Sequence, residues 1–152
     1  MEKNFKFGII ILLISCITSC KKNNPDFKFY SCEFDQSQYN NPIYYSKWID
    51  NKEDALKTKL TFVDSNLNER NLDSLYKETA QHLFIIGGGG MYVPVENCSV
   101  EIKNDTIQIN FNGNHIHEPV GEAASSFVCL EINRKKYPNY KNMKVTYIDT
   151  DL

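Results

Sequence analysis

The stretch CSVEIKNDTIQINFNGNHIHE, residues 98–118, decides how the chain folds. Apolar and polar side chains alternate on both sides of Asn104-Asp105, the period of a strand with one buried face. Asn112-Gly113 then sits between two more alternating runs, and Asn-Gly is the pair that most readily takes the positive φ angles of a tight hairpin. The reading is a three-stranded meander over 98–103, 106–111 and 114–118. Two-residue turns fix its register. Lys103 faces Thr106, Glu101 faces Gln108 and Ser99 faces Asn110. Across the second turn Phe111 faces Asn114, Asn110 faces His115 and Gln108 faces His117. One face then carries Cys98, Val100, Ile102, Ile107, Ile109, Phe111 and Ile116, and it is the core. The opposite face is polar.

Working outward, Phe127 to Asn133 and Met143 to Ile148 supply further strands, joined by RKKYPNYKN. Upstream, Phe27 to Phe34 (FKFYSCEF) is aromatic and dense in strand formers. DQSQYNNPIYYSKWIDN, with Asn-Asn-Pro in its middle, reads mostly as loop. Leu56, Thr58, Leu60 and Phe62 alternate with Lys57, Lys59 and Thr61 as in a half-exposed strand. The helix lies over Asn71 to His82, where Leu72, Leu75, Tyr76, Ala80 and Leu83 form a single stripe. Leu83 to Ile86 reads as a short buried strand, broken by Gly87 to Gly90 and resumed from Met91 to Val95, with Pro94 suited to an edge. The expected fold class is therefore α+β: a largely antiparallel β-sheet of about 6–7 strands carrying one main packed helix, about 71–82.

The N-terminus assigns an address. Lys3 and Lys6 precede the apolar run FGIIILLI, and LISCITSC follows. A short basic region before roughly 7–15 apolar residues is an export signal, too short to span a bilayer as a helix. Leu13-Ile14-Ser15-Cys16 and Ile17-Thr18-Ser19-Cys20 both resemble the lipobox of bacterial lipoproteins, in which the cysteine receives a diacylglyceryl thioether. Cleavage before Cys20 keeps a full hydrophobic segment and starts the mature chain at CKKNNPD, polar at once, so Cys20 is the expected lipidation site. The resemblance covers only Met1 to Lys21. It implies a signal peptide at 1–19, a lipidated tether at 20–26 and a single small domain at 27–152, with acyl chains on Cys20 inserted in the lipid bilayer. Two or more chains anchor stably. Lys21 follows the cysteine, and Lys21-Lys22-Asn23 lacks an acidic export cluster. The resemblance then implies the outer membrane of a bacterial envelope, facing the periplasm.

Without Glu2, Lys3 and Lys6 the chain carries 15 basic and 18 acidic residues, a formal charge of −3. Nucleic acid is thereby disfavoured as a partner, since it is bound through a positive field. The size suits one domain able to fold without a staple. Cys32, Cys98 and Cys129 remain for an oxidising compartment, and three thiols allow one bridge in any of three pairings. Cys98 shares the core face with Val100, whereas Cys129 points away from Val128 and Leu130. Cys32 to Cys98 is the expected bridge.

Chemistry has one candidate constellation. His115 and His117 lie two apart on a strand and so point the same way, the geometry in which an H-x-H pair shares a zinc ion. Glu101 stands in the same polar rows and could add a carboxylate, with His82 the remaining histidine. The competing reading is a plain polar sheet face with no cofactor. Gly87 to Gly90 is followed by neither Gly-Lys-Ser/Thr nor a helix, and Ser125-Ser126 lacks the G-x-S-x-G elbow, so neither phosphate-loop nor nucleophilic chemistry has support. Tyr39, Tyr44, Tyr45 and Trp48 crowd one loop, and Tyr137 and Tyr140 another; such aromatics serve either an interface or a small core. The function expected is that of an envelope interaction module binding a protein, a toxin or a ligand, with a metal-binding domain, up to a zinc-dependent enzyme, as the alternative.

Overall fold

The strands flanking Asn104-Asp105 pair in the expected register, with Lys103 opposite Thr106, Glu101 opposite Gln108 and Ser99 opposite Asn110. We describe the chain from a computed structural model, which covers residues 26–35, 37, 45–63, 69–87, 91–115 and 125–150. The turn takes its positive φ at Asn104 (53°), a conformation Asn tolerates better than most residues.

In chain order the elements are β1 (Phe27–Glu33), β2 (Ser46–Ile49), α1 (Lys52–Lys57), β3 (Thr61–Phe62), α2 (Glu69–Glu78), β4 (Thr79–Gly87) and β5 (Met91–Tyr92). A 3-10 turn (Val95–Asn97) leads into β6 (Cys98–Lys103), β7 (Thr106–Phe111), β8 (Asn114–His115) and β9 (Ser125–Asn133). A second 3-10 turn (Tyr140–Asn142) precedes β10 (Lys144–Asp149). The fold is β-rich and mostly antiparallel. Among the described residues there are ten strands, more than the expected count.

The strands form a five-stranded sheet ordered β2-β4-β9-β1-β3, a three-stranded sheet ordered β10-β7-β6 and the short pair β5-β8. The five-stranded sheet is the middle layer. One of its faces packs on the three-stranded sheet around Phe84, Val128, Leu130, Ile132, Ile107 and Ile109, all buried. Its other face packs beneath the helices around Ile49, Leu83, Cys129, Ala55, Leu72 and Tyr76. β4 and β9 are therefore covered on both sides and pair along their whole length, from Thr79 opposite Asn133 to Gly87 opposite Ser125.

Four expectations give way. The helix stops at Glu78, and residues 79–82 belong to β4. The stripe Leu72-Tyr76-Ala80-Leu83 was shared by two elements: as a strand, Ala80 turns to the inter-sheet core and Leu83 to the helix side. The half-exposed strand around Leu56 is instead helix α1, with Asn51 accepting from the Asp54 N–H as its N-cap and only Thr61–Phe62 extended. The segment read as loop contains β2, paired from Ser46 opposite Phe84 to Ile49 opposite Gln81.

The fourth correction bears on function. Asn112-Gly113 does not turn a hairpin. The second edge of β7 is occupied by β10 in parallel register, Thr146 beside Gln108 and Ile148 beside Asn110. β8 pairs instead with β5, His115 opposite Met91. β10 forms a six-residue ladder and turns Val145 onto the inter-sheet core, which the short NHIHE segment could not match.

Candidate functional site

A concavity of about 430 Å³ lies at the end of the three-stranded sheet, lined by Asn97, Ser99, Asn110, Asn112 and Thr150. Each wall has a local cause. Ser99 and Asn110 are cross-strand partners on the outward face of β6 and β7. Asn97 ends the 3-10 turn: its backbone carbonyl accepts from the Asn112 N–H at 3.3 Å, and its side-chain Nδ2 donates to the Asn112 carbonyl at 3.1 Å. Thr150 follows β10 and is held by its N–H (2.8 Å) and Oγ1 (3.0 Å), both donating to the Phe111 carbonyl. Gln108 Nε2 donates to Asn110 Oδ1 at 2.8 Å, which fixes the amide with its own Nδ2 as the remaining donor. The lining is thus amides and hydroxyls, able to donate and accept without carrying charge.

The titratable groups with displaced pKa values lie mainly inside the two cores. His82, on the inter-sheet face of β4, is held between Trp48 and Tyr147, its ring 4.7 Å from that of Trp48 and its Nε2 2.7 Å from Tyr147 Oη. Burial pulls its pKa down to about 4. On the helix side, Tyr76 Oη donates to Gln81 Oε1 at 2.7 Å, and Gln81 stands opposite Glu131 across β4 and β9. Burial raises the Glu131 carboxyl, with Lys28 and Tyr30 pulling the other way. Burial, then the Glu131 charge, pushes Tyr30 up to about 12. His82 Nδ1, Gln81 Nε2 and Glu131 Oε2 are buried without hydrogen-bond partners among the described residues. Tyr140 Oη donates to Asp50 Oδ2 at 2.6 Å, and Lys141 Nζ lies 2.5 Å from the same oxygen. Burial works against the Asp50 charge, yet those contacts hold its pKa below the usual carboxylate value.

The residues singled out in the sequence fall as follows. Glu101 is on the outward face and pairs with Lys103 Nζ at 2.7 Å. Its row continues to Gln108 and then to Thr146 of β10, so the strand carrying His115 does not stand beside it. His117 and Cys20 lie outside the described residues. Among the described residues no three His, Cys, Asp or Glu side chains are grouped to hold a metal. The crowded aromatics that are described serve the cores: Tyr45 and Tyr140 are buried, and Trp48 and Tyr137 pack against the inter-sheet cluster.

The expected Cys32 to Cys98 bridge is overturned by the layering. Cys98 faces the inter-sheet core, whereas Cys32 and Cys129 both lie on the helix side of the middle sheet, their sulfurs 2.6 Å apart. The parity argument placed Cys98 and Cys129 on the correct faces. Applied to Cys32, which alternates with Phe27 and Phe29 of the inter-sheet face, it gives the helix side as well.

Sequence reading put Ser99 and Asn110 together on the polar face but missed Asn97, Asn112 and Thr150. Asn97 and Asn112 are brought in by a turn, and Thr150 by a parallel pairing that local periodicity does not signal. Comparison of the chain with protein-family models, with curated proteins and with solved structures finds no significant match.

Proposed function

We propose that this chain is an exported lipoprotein, anchored through acylated Cys20, whose domain works by binding a protein or ligand in the bacterial envelope. The outer membrane, on its periplasmic face, is the proposed address, and an envelope protein or an incoming toxin the proposed partner. The domain itself is read as α+β, with Glu69–Glu78 its principal packed helix. The single observation that supports binding is the concavity formed by Asn97, Ser99, Asn110, Asn112 and Thr150. It offers convergent neutral hydrogen-bonding groups at a surface, the kind of lining that fixes a partner's orientation. The alternative H-x-H zinc reading loses Glu101 as a neighbour, because β10 and not the strand of His115 stands beside β7, and His117 lies outside the described residues.

Capture from detergent-solubilised envelopes tests the reading. Wild-type protein retains a specific partner, and the Ser99→Arg/Asn110→Arg double variant, whose outward side chains fill the concavity, loses it while keeping its thermal transition. Absence of any partner that depends on these two residues would sink the reading. The anchor is tested separately: a fatty-acid analogue labels the wild-type protein and leaves Cys20→Ser unlabelled.

A further inference from the structure

We infer that Cys32 and Cys129 form a disulfide that clips β1 to β9 beneath the helical layer. In the β1-β9 ladder Tyr30 is opposite Cys129, which places Cys32 one step along the diagonal on the same face. Both side chains are sealed in the helix-side core, at 2% and 0% exposure, and their sulfurs approach to 2.6 Å. Side chains on a diagonal of neighbouring strands come within reach of one another, and closing to the covalent separation of about 2.05 Å needs no change of register. Cys98 lies across the middle sheet, its Sγ 3.9 Å from the Pro94 carbonyl, so the strands of the sheet separate it from either sulfur.

The chemistry is a thiol–disulfide exchange. One cysteine, as thiolate, attacks a disulfide supplied by an oxidised thiol compound or a disulfide-carrying oxidoreductase, forming a mixed disulfide and releasing one thiol of the oxidant. The second cysteine attacks that mixed disulfide and releases the other. The protein loses two electrons and two protons, and the oxidant gains them.

Burial sets the timing. In the folded domain no oxidant reaches these sulfurs, and burial, followed by the neighbouring Cys32 sulfur, raises the Cys129 thiol well above its ordinary pKa, away from the reactive thiolate. The bond therefore forms while β1 and β9 are pairing, before the helices close over them. Once formed it is shielded from reductants.

Trypsin separates the three cysteines onto peptides 29–47, 78–103 and 104–134, so peptide mapping identifies the pair directly. The full chain carrying Cys16→Ser and Cys20→Ser, refolded in a glutathione redox buffer, alkylated after denaturation and digested without reductant, is expected to yield 29–47 linked to 104–134. Peptide 78–103 is then alkylated. A link involving 78–103, or three alkylated peptides, overturns the inference. Mapping reads sulfur connectivity and so does not depend on a variant that fails to fold. Wild-type protein trapped in cells by acid and alkylated separates the two readings. The 32–129 link formed on refolding but absent in cells supports the pairing and counts against export to an oxidising compartment.

Discussion

His82 shows how one side chain sets a response to acid. Its folded pKa, about 4, lies below the ordinary histidine value of 6.5, so the unfolded chain binds the proton first. The stability it contributes is complete above pH 6.5 and is lost as the pH falls through the folded value. A shift of this size corresponds to about 3 kcal/mol. Glu131 has the opposite sign: its raised pKa favours the folded state as the pH drops through it towards the unfolded carboxylate value. Urea midpoints measured from pH 7.5 to pH 4 should therefore fall less steeply in His82→Phe, which keeps the ring packing and removes the titration. A parallel decline in the two proteins would show that His82 is not the cause. Glu131→Gln isolates the other term. It retains an acceptor for Tyr30 and is expected to stabilise the protein at neutral pH, an advantage that shrinks as the pH falls and the wild-type carboxyl takes up its proton. Cys32, His82 and Glu131 were legible only as types. Their surroundings depend on which strands flank them, and single-residue chemistry does not encode that.

At the scale of elements, local pattern served where one face of a strand meets water and failed where both are covered. β6 and β7 alternate cleanly, and their turn and register followed from the sequence alone. β4 is buried on both faces, so TAQHLFII carries no alternation, and its first residues continue the helical stripe of α2. Only the ladder with β9 assigns them. The turn at Asn104 has a measurable consequence: at φ 53°, Asn104→Ala should lower stability by about 1 kcal/mol and Asn104→Gly by only a few tenths, as read from thermal melts. Equal effects would mean that the loss comes from the side chain and not the backbone. β10 predicts a larger change. Deleting residues 144–152 uncovers one whole edge of β7 and the inter-sheet core beside Ile107 and Ile109. An unpaired edge of that kind templates association, so the truncated protein should elute at a larger apparent size than the intact chain in size-exclusion chromatography, and an unchanged or smaller elution size would count against it.

For the whole molecule, the three-layer arrangement makes distant segments depend on one another. Cys32 and Cys129 are 97 residues apart, so a bridge between them constrains most of the unfolded chain. The chain-entropy treatment assigns a loop of that length about 4.7 kcal/mol. Guanidinium midpoints of the oxidised and fully reduced forms should differ accordingly, and coincident curves would show that the link adds nothing to stability. The layering also limits what a sequence can reveal: Asn97, Asn112 and Thr150 share a concavity only because β10 returns to lie beside β7. That return has a temporal side. β10 follows in the chain every strand it helps to cover, and parallel pairing across such a separation is slow to nucleate. During vectorial emergence β6 and β7 can pair as soon as they appear, yet β7 remains an open edge and the inter-sheet core unsealed until the final strand arrives. The domain is thereby kept from locking early, a property that would serve the passage across a membrane which the proposed export requires.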